Sequence, residues 1–70
     1  MPISVEVLAL NAALEELATL DPEQARLVEL RYFAGLTIEE TAEAMGTSPA
    51  TAKREWAAAR AWLWNRLKPL

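Results

Sequence analysis

The stretch Leu36-Thr37-Ile38-Glu39-Glu40-Thr41-Ala42-Glu43-Ala44-Met45-Gly46-Thr47-Ser48-Pro49-Ala50-Thr51-Ala52-Lys53-Arg54 decides how this chain folds. It predicts two short helices joined by a tight turn. Thr37 and Glu40 have the spacing of a capping box, in which each side chain bonds the other residue's backbone N–H. Ile38, Thr41, Ala42 and Met45 then share one side. Gly46 suits the left-handed residue that ends a helix and turns the chain sharply. Ser48 is a good N-cap, and Pro49 fits the first helical position because its missing N–H has no intrahelical partner there.

The reading extends in both directions. Nothing breaks the last helix before Pro69, and Ala52, Trp56, Ala59, Leu63 and Leu67 mark its inner face. Upstream, Asp21-Pro22 predicts another capped start, for a helix through Ala25, Val28 and Tyr32 that stops near Gly35. Before it, Ile3, Val7, Leu10, Leu14 and Leu17 recur at three- and four-residue spacing, one apolar stripe. Both glycines and all four prolines fall at such boundaries. The expected fold is all-α, with four helices near residues 4–19, 22–33, 37–45 and 48–67 and a C-terminal helix-turn-helix.

Composition narrows the function. Seventy residues make one small domain, whose core supplies about 3–5 kcal/mol of net stability. There is no cysteine and no histidine, so disulfides are excluded and neither a metal site nor a cofactor is expected. Glu15-Glu16 and Glu39-Glu40 are adjacent on helices and diverge by about 100°, so neither pair forms an acid/base site. No catalytic residue and no small-molecule substrate are expected. No apolar run approaches the ~20 residues of a membrane span, and no signal-peptide pattern opens the chain. The cytoplasm is the expected compartment.

The net charge of −3 hides an asymmetry. Residues 1–46 carry −7 and residues 47–70 carry +4. An acidic body with a basic C-terminal face is a footprint of nucleic-acid contact. If Ala52 and Trp56 face inward, Ala50, Thr51, Lys53, Arg54 and Ala57 lie on or near the outward side of the last helix's first two turns. Arg can bond guanine O6 and N7 bidentately; Lys and Thr hold phosphates or base edges; Ala permits close approach. Free N–H groups and the helix dipole at Ser48 favour a phosphate. Glu55, among these cations, either accepts a bond from cytosine N4 or points at solvent. Trp62 and Trp64 lie about 200° apart around the helix, so at least one is expected to be part exposed.

Leu30-Arg31-Tyr32-Phe33-Ala34-Gly35-Leu36-Thr37-Ile38-Glu39-Glu40-Thr41-Ala42, with Met45-Gly46-Thr47-Ser48-Pro49-Ala50-Thr51-Ala52-Lys53-Arg54, resembles region 4 of the sigma-70 family of sigma factors. The likeness is closest to the extracytoplasmic-function (ECF) group, and covers about Leu10 to Leu67. It implies a winged-helix-like three-helix core without the wing, preceded by one further helix. It implies recognition of the −35 promoter element within RNA polymerase holoenzyme. It also implies that the first two helices, with the inner side of the fourth, cradle the β flap tip of the polymerase. Carried over residue by residue, the DNA-reading surface falls on Ser48, Ala50, Thr51, Lys53, Arg54 and Ala57, with Thr37 near a phosphate. The resemblance further implies a separate region 2 domain that nothing here matches, so a C-terminal fragment of a longer protein is expected.

Two departures from the family pattern matter. Thr41, Thr47 and Ala52 stand where the wider family carries Ile, Ile and Val. A less filled core is expected, compensated in part by Trp56, and Ala52→Val should raise the melting temperature. Ala57 and Ala58 replace a frequent cation, so isolated DNA affinity should be weak. Other readings are a LuxR-type helix-turn-helix output domain, which departs at Lys53-Arg54-Glu55, and an interaction module bound by an anti-sigma factor through its acidic helices.

Overall fold

The computed structural model describes residues 5–67, with side chains placed from Leu8 onward. Ile3 and the Val7 side chain of the expected first stripe therefore lie outside the described residues. Among the described residues there are only helices: α1 (Val5–Leu20), α2 (Pro22–Val28) with a π-helical turn (Glu29–Phe33), α3 (Ile38–Met45) and α4 (Pro49–Leu67). None is long and apolar enough to cross a membrane.

The boundaries follow from local chemistry. Asp21 closes α1 through its N–H to the Leu17 carbonyl (2.7 Å). It also opens α2 by accepting the Gln24 N–H on its carboxylate (3.2 Å). One residue thus turns the chain between two helices. The capping box of α3 is complete: Thr37 Oγ1 accepts the Glu40 N–H (3.0 Å), and Glu40 Oε1 accepts the Thr37 N–H (2.9 Å). At its other end Gly46 adopts φ +68°. The Thr47 N–H returns to the Ala42 carbonyl and the Gly46 N–H to that of Glu43. This paired closure satisfies carbonyls the helix would otherwise leave open.

Two apolar clusters hold the helices together. Leu14 and Leu17 of α1, Ala25 and Val28 of α2, and Ala59 and Leu63 of α4 form the larger, with Trp62 packed against it. Leu27, Ala42 and Ala52 join α2, α3 and α4 in the smaller, flanked by Ile38 and Met45. Leu27 is fully buried, and that side chain alone contributes about 1.5–3 kcal/mol of transfer free energy. Trp56 touches both clusters. It is half-buried rather than a fully enclosed core residue.

Two expected inward residues are exposed. Tyr32 is 64% accessible and Leu67 38%. The π turn explains Tyr32. Its i→i+5 pattern, seen in the Ala34 N–H to Glu29 carbonyl bond (3.0 Å), advances each residue by less than the 100° of an α-helix. The inward phase passes to Leu30 and Arg31, which are half-buried. Tyr32 turns outward, its ring meeting that of Phe33 edge-on at 5.4 Å. Leu67 sits at the last turn of α4, on the rim of a groove. Trp64 is exposed and Trp62 is half-buried, as their angular separation requires.

Candidate nucleic-acid interface

The turn at Gly46 and the Ser48 cap aim α4. Ser48 Oγ accepts the Thr51 N–H at 3.1 Å, and the Ser48 carbonyl accepts the Ala52 N–H at 2.9 Å. Pro49 has no N–H, so of the first three helical positions Ala50 alone keeps an N–H without a bond. The dipole end is less rich in free donors than the sequence suggests.

Ala52 is fully buried, and this fixes the rotation of α4. Ala50, Lys53, Arg54 and Ala57 are exposed, while Thr51 and Glu55 are half-buried. The residue types expected to meet a duplex therefore point away from the core. Lys53 lies on a flank, about 100° around the helix from Arg54. Among the described residues, neither cation forms an ion pair; the pair present joins Arg66 to Glu16 across α4 and α1. That bond, and then the charge of Glu16, raise the Arg66 pKa above the ordinary guanidinium value.

Ser48, Thr51 and Arg54 come together in one hydrogen-bonded chain. Thr37 makes its bonds within the α3 cap instead, with its hydroxyl proton left to donate. Ala50 and Ala57 offer smooth surface and no polar side chain.

A second feature lies on another side of α4. A groove of about 700 Å³ runs between Leu10 of α1, Tyr32 of the π turn and Trp56, Leu63, Trp64 and Leu67 of α4, with Arg60 as its cation. The Arg60 guanidinium stands 5.6 Å from the Trp56 ring centroid, within cation–π range. Trp64 is 69% exposed. The family resemblance implies a protein-binding cradle on these helices but names neither Tyr32 nor Arg60 in it. The Trp56–Arg60 spacing of one helical turn was the available signal.

An all-α helix-turn-helix domain with an apolar groove behind its last helix is a sigma region 4-like fold. The family model described as ECF sigma factor matches residues 2–69, and the chain belongs to that family. Its role is in transcription initiation. Comparisons with curated proteins and with solved structures found no match.

Proposed function

We propose that this chain is the promoter-reading region 4 of an ECF sigma factor. It reads the −35 element through the first two turns of α4 and seats the RNA polymerase β flap tip in the groove. The observation that carries the DNA reading is the capped, rotationally fixed start of α4, which presents Lys53 and Arg54 without an acidic partner among the described residues.

In the major groove Arg54 reads a guanine edge, and Lys53 and Thr37 neutralise or bond phosphates. Ala50 and Ala57 let the helix approach closely, and Ala50 contributes its N–H. With so few cations on this face, the isolated domain binds weakly and with a shallow salt dependence. An amide NMR titration with a promoter-like duplex tests this at low and then moderate salt. Shifts concentrated at Ser48–Arg54 that fade with salt support it; their absence at low salt overturns direct DNA binding by this chain.

The groove supports the polymerase contact. Its exposed Trp64 is the type of residue that anchors protein interfaces, and Arg60 supplies one charge in an apolar lining. Titration with a flap-tip peptide should move resonances of Leu10, Tyr32 and Trp64, and leave those of Ser48–Arg54 in place. An anti-sigma factor would compete for these surfaces, and the expected compartment is the cytoplasm.

A further inference from the structure

The hydrogen bonds at the start of α4 determine more than a cap. Ser48 Oγ accepts the Thr51 N–H (3.1 Å) and donates to Thr51 Oγ1 (3.0 Å). Thr51 Oγ1 also accepts from Arg54 Nη2 (3.3 Å). A hydroxyl has two acceptor positions and one proton. Thr51 Oγ1 can therefore hold both Ser48 and Arg54 at once. Arg54 spends one of its five N–H donors on Thr51 and keeps four. Glu55, one turn beyond Thr51 and half-buried, is bonded to neither.

We infer that Thr51 is a positioning residue for Arg54: the Ser48–Thr51–Arg54 chain orders the guanidinium before DNA arrives. This rests on the promoter-reading proposal and adds to it how Arg54 is held for the base edge. A guanidinium held in one orientation presents its forked donors to a base edge, and guanine, through O6 and N7, is the best match. An unanchored arginine would keep its charge but lose orientation. Without Thr51 the domain still attracts phosphate and loses its preference among bases. Ordering an arginine beforehand also removes part of the side-chain entropy that binding would otherwise cost.

The test compares wild type with Thr51→Val, Thr51→Ser, Thr51→Ala and Arg54→Ala, each checked for folding by thermal melting. Each is bound to duplexes varied one base pair at a time over a range of salt. Guanidinium ¹⁵N relaxation of Arg54 is measured without DNA. Thr51→Val should lower the order of the Arg54 side chain and reduce guanine discrimination at one position about tenfold, with the salt slope unchanged. Thr51→Ser should restore both, because it keeps the hydroxyl. Thr51→Ala is the second deletion should the valine disturb the first turn. Unaltered base preference and Arg54 order in both deletions overturn the positioning role while promoter reading stands. Guanine preference that survives Arg54→Ala overturns the assignment of Arg54 as reader. Absence of any salt-dependent binding by wild type removes promoter reading and this inference together.

Discussion

The Arg31 guanidinium lies 5.2 Å from the ring centroid of Trp56. Arg31 lies in the π turn Glu29–Phe33 that continues α2, and Trp56 sits near the middle of α4. The same guanidinium donates through Nη1 to the Leu36 carbonyl, in the turn before α3. One side chain therefore ties the π turn, the approach to the helix-turn-helix and α4 together. Arg60 approaches Trp56 as well, so the indole is engaged by cations from two helices.

Arg31→Ala should destabilise the domain by about 1–3 kcal/mol, from the lost cation–π contact and the hydrogen bond to Leu36. Arg31→Lys should recover little, since a point charge cannot replace the planar fork. Thermal melts of the three proteins decide the matter. Equal midpoints for wild type and Arg31→Ala would show that the tie contributes nothing.

Thr41 is fully buried, and its hydroxyl has no hydrogen-bond partner among the described residues. A buried hydroxyl in that state costs about 1–3 kcal/mol relative to a satisfied one. Thr41→Val keeps the shape and removes the polar group. It should stabilise by about 1 kcal/mol, which for a domain of this size raises Tm by about 4–8 °C. Thr41→Ser, which keeps the hydroxyl and loses the methyl, should move Tm the other way. A lower Tm for the valine variant would reveal an internal partner for the hydroxyl.

Ala52 faces the smaller cluster with no exposed surface. Ala52→Val adds two carbons there, worth about 0.8 kcal/mol each if they fit, against a helix-propensity cost of about 0.5 kcal/mol. The expected net effect is a gain of about 1 kcal/mol, read from a chemical denaturation midpoint. A loss would show that Leu27 and Ala42 already close around the methyl, since overpacking costs about as much as it was meant to add.

Gly46 turns the chain at φ +68°, and among the described residues no atom beyond its own chain neighbours lies within 4 Å of where a Cβ would stand. The cost of Gly46→Ala is therefore backbone strain without a clash, about 1–2 kcal/mol. Gly46→Asn should cost less, because Asn tolerates the left-handed region. If alanine and glycine melt together, the turn has rearranged, and amide shifts from Thr47 to Thr51 would locate the change.

Trp64 is exposed on the groove rim, so Trp64→Ala should alter stability by no more than about 0.5 kcal/mol. Under the proposed polymerase contact it should weaken flap-tip binding by about 2 kcal/mol, the loss typical of an interface anchor. DNA titration shifts at Ser48–Arg54 should be unaffected. Undiminished flap-tip affinity would remove Trp64 from that interface.

The sequence by itself determined the helical class, the capped starts at Asp21, Thr37 and Ser48, and the inward face of Ala52. Each of these is a matter of residues three or four positions apart, and such bonds form whatever the rest of the chain does. The exposure of Lys53 and Arg54 followed once Ala52 was turned inward. Tertiary structure alone decided the groove, because Leu10, Tyr32, Arg60 and Trp64 come from three segments and meet only when the helices pack. It also decided the π turn, whose shifted phase moved Tyr32 from the expected core to the rim and brought Arg31 under Trp56. The unpartnered hydroxyl of Thr41 was equally illegible, since whether a buried oxygen finds a donor depends on neighbours that no local pattern specifies.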